Sequence, residues 1–202
     1  GLCEQIAKEH PARIAPCVEA TRHLLGDESA AVAKAAAKGA TALYKQAFVY
    51  VSNKGKGVGA RKTVPKAVKD IWKAAKNLDE DLKAFALSEK ANDGARMQAV
   101  RFLEKTLCFL CAVAPSLAPD HALLNPDDIA TECDSLLGVL LECLKPDAMR
   151  TQSSPATLVM IAAAAGVAER CAQYCEFVVP ALCELAEAVG KAKSDDETAK
   201  SA

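Results

Sequence analysis

The stretch "NDGARMQAVRFLEKTL", residues 92–107, decides the fold: an Asn-Asp-Gly turn opens a segment that is polar on one side and apolar on the other at helical spacing. An earlier stretch, "GDESAAVAKAAAKGATALYK" (26–45), has the same layout of turn, acid, early basic residue and small apolar residues. An acid placed at a helix N-terminus is favoured by the macrodipole, so each phrase reads as the turn of a helical hairpin and the start of its second helix. Hairpins of antiparallel helices recurring every few tens of residues predict a solenoid, in which each pair buries its apolar face against the next.

Composition agrees with that reading. Of 202 residues 51% are hydrophobic, enough for a large core, while only 4% are aromatic and alanine is the commonest residue, which favours closely packed helices over strands. With 25 basic and 26 acidic residues the net charge is -1, so any electrostatic recognition must be local.

Helix punctuation divides the chain into eight segments. His10-Pro11 closes the first, because proline disfavours helix in the residue before it; Gly26 closes the second, and Asp27 or Ser29 caps a third that runs to about Val51. Residues 52–63, "SNKGKGVGARKT", hold three glycines and four basic residues without a large apolar anchor, and read as an exposed loop. Further helices are expected from Val64 to Leu87, Ala95 to Ala114, Pro126 or Asp127 to about Leu144 and Ser154 or Pro155 to near Arg170, followed by one from Ala172 to Val189 that Pro180 kinks or splits. The repeat domain is thus placed at 1–189 and residues 190–202 as a polar, unstructured tail. "GLCEQIAKE" reads as a helix already under way, as expected of a piece of a longer protein. The longest uncharged run has an apolar part of only 13 residues, too short to span a bilayer.

Nine cysteines lie within apolar helical stretches and read as buried, reduced thiols. Two pairs, Cys108 with Cys111 and Cys171 with Cys175, invite a zinc reading, but their spacing is what any core-facing helix stripe produces. His10, His23 and His121 have no nucleophile at a recognisable motif spacing, and no cofactor or enzymatic activity is expected.

The pattern of Asp27 with Val32 and Lys34, and of Asp93 with Arg96, resembles the start of the second helix of HEAT repeats. "HLLGDESAAVAKAAAKGATALYKQAF" (23–48), "DIWKAAKNLDEDLKAFALSEKANDGARMQAVRFLEKTL" (70–107) and, more weakly, "ECLKPDAMRTQSSPATLVMIAAAAGVAER" (142–170) resemble the N-terminal HEAT domain of the symplekin family, scaffolds of pre-mRNA 3′-end processing. The resemblance implies an all-α superhelix that lacks its first repeats, a nuclear location, and no chemistry of its own. It further implies a concave surface that binds the phosphatase removing serine-5 phosphate from the RNA polymerase II C-terminal domain. Other cleavage and polyadenylation factor subunits would be further partners, RNA an indirect one, and membranes none.

Lys34, Lys38, Thr41 and Lys45 follow one another at i, i+4, i+7 and i+11, along one helix face, and Arg101, Glu104 and Lys105 share a polar face opposite Val100, Leu103, Leu107 and Leu110. Carried over from the family, Arg101 is the first expected partner contact, followed by Lys45 and Lys105, with Lys34 and Lys38 beside them. An arginine there is suited to a bidentate pair with a carboxylate. In the glycine-rich stretch Lys54, Lys56, Arg61 and Lys62 are candidate phosphate or RNA contacts, or an import signal, although the spacing is not that of a phosphate-binding loop. The competing functions are another HEAT-type adaptor, in transport or phosphatase assembly, and a cysteine-based metal or redox protein.

Overall fold

The computed structural model describes residues 2–55, 64–145 and 154–200. Among them are eight α-helices and no strand: α1 (Leu2–Glu9), α2 (Ile14–Leu25), α3 (Ala30–Gly55), α4 (Lys66–Leu87), α5 (Asp93–Val113), α6 (Pro126–Cys143), α7 (Ser154–Arg170) and α8 (Cys175–Lys200). Consecutive helices pack as hairpins, and every second helix also packs on its counterpart: α1, α3, α5 and α7 form one layer, while α2, α4 and α6 line up behind it. This is the all-α solenoid that the hairpin pattern predicts.

The two related phrases build the same device. Asp27 Oδ1 accepts a hydrogen bond from the Ser29 amide (2.8 Å), and Asn92 Oδ1 accepts one from the Gly94 amide (2.9 Å), each an Asx turn that satisfies an amide before its helix winds. Asn125 repeats it toward Asp127 (3.0 Å) at the start of α6, with Pro126 in the first turn. A Cβ on Gly94 would lie 3.1 Å from Asn92 Oδ1 and 3.2 Å from Lys34 Cδ, so a small residue lets the turn close against α3.

Small residues set the spacing of the first layer: Ala33, Ala36, Ala37, Ala40 and Ala47 of α3, Ala95 and Ala99 of α5, and Ala156, Ala163 and Ala164 of α7 are all buried. Between α3, α4 and α5 an aromatic cluster fills the core, with Tyr44 edge-on to Phe102 (5.7 Å between ring centres), Phe48 edge-on to Phe109 (5.1 Å), and Trp72 6.0 Å from both Tyr44 and Phe48. Polar contacts pin the second layer. Lys83 of α4, almost fully buried, meets Asp79 (2.7 Å) and Glu80 (3.1 Å) on its own helix and Glu132 (2.5 Å) on α6. Arg22 of α2 reaches Asp81 of α4 (2.5 Å).

Several boundaries differ from those expected. Helix α3 continues through Ser52–Asn53–Lys54 to Gly55, since nothing before the first glycine forbids helix. Beyond Arg170 a 3-10 turn, Ala172–Tyr174, precedes α8 and is tied to α6 by the Tyr174 hydroxyl on Asp134 (3.1 Å). Pro180 stands on the exposed side of an unbroken α8 and neither splits nor ends it. The helix then runs to Lys200, through the polar stretch expected to be unstructured, whose Ala, Lys and Glu content is compatible with helix.

Candidate partner-binding recess

Helical spacing sends neighbouring residues of two short segments, "ALYKQA" (42–47) and "AVRFLE" (99–104), to opposite sides. In "ALYKQA" Leu43, Tyr44 and Ala47 are buried, whereas Thr41 and Lys45 point away from the core; in "AVRFLE" Val100, Phe102 and Leu103 are fully buried and Arg101 is exposed. Because α3 and α5 lie side by side, the outward residues face one recess of about 560 Å³. Its lining is Ala37, Lys38, Thr41, Ala42 and Lys45 from α3, Gln98, Arg101 and Lys105 from α5, and Arg170 from the end of α7. Five of these nine residues are cationic and none is acidic.

The cations are held in different ways. Lys45 is half-buried with its ammonium 5.1 Å from the centre of the Phe109 ring, a cation–π contact that orients it. Burial first, then the neighbouring charges of Lys105 and Arg170, make that ammonium easier to deprotonate than an ordinary lysine. Arg170 is ion-paired with Glu104 of α5, and its Nε donates to the Gly166 carbonyl (2.9 Å). Among the described residues, no carboxylate lies within ion-pair distance of Lys38, Lys45, Arg101 or Lys105. Such a recess offers a preformed positive field to an anionic group.

Four of the expected site residues therefore meet in one place. Lys34 does not join them: it is exposed one turn earlier on α3, and its stem packs beside Gly94. Lys54 is in the last turn of α3, not in a loop, with its ammonium 5.9 Å from the Tyr50 ring centre. Lys56, Arg61 and Lys62 lie outside the described residues. Arg170 is not among the expected site residues, and only its place as the basic residue closing the helix at "VAER" signals it.

The thiols take no part in the recess lining. Cys108 Sγ is 3.7 Å from Cys171 Sγ, Cys175 donates to the Ala168 carbonyl (3.0 Å), and Cys108, Cys111, Cys133, Cys143, Cys171, Cys175 and Cys183 carry free thiols. Burial pushes Cys108 up to about 12 and Cys143 and Cys171 up to about 11, which leaves them as thiols at neutral pH. Among the described residues the one set of three metal-ligating groups close together is Asp79, Glu80 and Glu132, and there the Lys83 ammonium already occupies the place a cation would take. His121 is structural: its Nδ1 accepts from the amides of Leu123 (3.2 Å) and Leu124 (2.9 Å), and its Nε2 faces the Ser52 carbonyl (3.3 Å). No single described helix is long and apolar enough to cross a membrane.

The family profile Symplekin/PTA1 N-terminal matches residues 29–201, which takes in every helix that lines the recess. The chain belongs to this family. Among curated proteins there is no match to it. Membership points to a scaffold role in mRNA 3′-end processing and to a non-enzymatic one. In this symplekin-family chain the recess sits where the second helices of successive repeats meet, the surface along which solenoids take their partners.

Proposed function

We propose that the chain is a non-catalytic scaffold of mRNA cleavage and polyadenylation that works in the nucleus and holds the serine-5 phosphatase of the RNA polymerase II C-terminal domain on its concave surface. The observation that carries this reading is the recess of Lys38, Lys45, Arg101, Lys105 and Arg170, a concentrated positive field on a chain whose net charge is only -1. A partner presenting carboxylates would be steered there and fixed in register by Arg101, whose guanidinium is exposed and, among the described residues, without an acid of its own. Other cleavage and polyadenylation factor subunits would attach through the same scaffold, with RNA reached only through them.

The test is a binding titration of the chain against the polymerase-tail phosphatase from the same source, with Arg101→Glu alongside. Saturable binding that the substitution abolishes, at unchanged helical circular dichroism, supports the reading. Equal binding by both forms would move the interface away from the recess, and no binding by either would remove the phosphatase as the partner.

A further inference from the structure

The recess is more selective than a positive patch. Its cations come from three successive helices of one layer, so a single group at the centre is approached from α3, α5 and the end of α7 together. They also differ in kind: Arg101 offers a planar fork of donors, and Lys45 a half-buried point charge held over Phe109. Thr41 and Gln98 add neutral hydrogen-bonding groups to the same lining. A planar carboxylate accepts from two directions, whereas a tetrahedral phosphate presents three oxygens and up to two charges, which matches convergent donors from three sides. Glu104, the acid that borders the recess, is engaged by Arg170 and does not fill it.

We propose that this recess receives a phosphorylated serine or threonine carried on an extended peptide segment. On the α3 side the lining includes the short, partly exposed Ala42, which lets a peptide backbone lie close to α3 while its phosphate reaches Arg101, Lys45 and Lys105. A single-stranded nucleic acid fits less well. Its sites combine a charged track with aromatic faces on which bases stack, and the lining here has no aromatic residue, Phe109 lying against the Lys45 ammonium. The proposal rests on the recess being a partner-facing surface but not on which protein docks there. Whether the docked partner or that partner's substrate carries the phosphopeptide, the chemistry recognised is the same.

The experiment uses the whole chain and a fluorescent ten-residue peptide with one phosphoserine in otherwise neutral sequence, its unphosphorylated form, inorganic phosphate as competitor, and a single-stranded RNA decamer. The expected result is saturable binding of the phosphopeptide that inorganic phosphate displaces and no saturable binding of the unphosphorylated peptide. Arg101→Gln and Lys45→Met are each expected to weaken binding at least about tenfold, as for loss of one charge-assisted hydrogen bond. Because Arg101 is exposed, Arg101→Gln should keep its helical signal and thermal midpoint, which separates lost recognition from lost fold. Indifference to the phosphate, tighter binding of the RNA, or undiminished binding by both variants would overturn the proposal. The two readings fail separately: phosphatase binding without phosphopeptide binding removes this one alone, and the reverse removes the phosphatase alone.

Discussion

Arg170 and Glu104 stand 66 positions apart and are ion-paired across the seam between α7 and α5, at the rim of the recess. The pair does two things at once: it ties the third hairpin to the second, and it keeps the bordering acid away from the free cations. Glu104→Gln is therefore expected to cost no more than about 1 kcal/mol of stability, the usual worth of a partly exposed ion pair. It should also strengthen binding of anionic partners, because Arg170 is released toward them. Urea unfolding measures the first effect and a titration with an anionic partner the second; weaker binding in the variant would mean that Glu104 positions Arg170 instead of occupying it.

The buried group of Lys83, Asp79 and Glu132 makes stability depend on pH. Burial, reinforced by the nearby Glu132 carboxylate, pushes Asp79 up to about 8, against the opposing pull of Lys83. A carboxyl with a raised folded-state value binds its proton more tightly in the native chain than in the unfolded one, so native stability falls as pH climbs from about 4 toward 8. Glu132 is lowered instead, with burial opposed by Asp79 and Lys83, and its contribution is lost only below the ordinary glutamate range. Unfolding in urea at pH 5.5 and pH 8 should show the native chain weaker at pH 8. Asp79→Asn should flatten that difference, and an unchanged slope in the variant would assign it to other groups.

Much of the recess was legible before the fold was known. Tyr44 and Lys45 are adjacent in sequence, and adjacent residues on a helix point about 100° apart, so a motif with one in the core must aim the other elsewhere. The same logic places Phe102 inward and Arg101 outward. What one helix cannot reveal is height and neighbours. Lys34 shares a face with Lys38 but lies about 6 Å further along the axis, level with the Gly94 turn and not with the recess. Arg170 joins only because α7 packs on α5, a relationship between segments that no spacing encodes. Likewise the i,i+4 spacing of Asp79 and Lys83 does not disclose that α6 covers them with Glu132.

His121 ties the α5–α6 connection to the end of α3, and replacing it removes an acceptor for two backbone amides. His121→Ala is expected to cost about 1–3 kcal/mol, the penalty for leaving such donors without a partner. Hydrogen exchange gives the local check: the Leu123 and Leu124 amides, which donate to Nδ1, should lose protection while those of the α4 core keep theirs. Protection retained at both amides would show that the loop is held by other contacts.

Thiol reactivity should follow burial. Cys183 is exposed on α8, whereas Cys108, Cys143 and Cys171 are held as thiols by burial. Brief alkylation of the native chain at pH 8, followed by peptide mapping, is expected to modify Cys183 well before those three. Early modification of Cys171 would contradict its burial beside Cys108 of α5.

Gly166 bears on the seam itself. A Cβ there would lie 2.8 Å from Arg170 Nη2 and 2.8 Å from Glu104 Oε1, too close for either to stay, yet both atoms are the far ends of flexible side chains. Gly166→Ala must therefore displace the ion pair while leaving the backbone of α7 in place. Alanine gains up to about 1 kcal/mol over glycine inside a helix, roughly what a partly exposed pair is worth, so the net change should be within about 1 kcal/mol of zero. Adding Arg170→Ala removes one of the two obstructing groups and lets Glu104 swing away. In that background Gly166→Ala is expected to stabilise by about 0.5–1 kcal/mol, close to the full helix preference. A substitution equally costly in both backgrounds, measured by urea unfolding, would mean that the glycine is needed for the approach of α7 to α5 and not for the room it leaves to the pair.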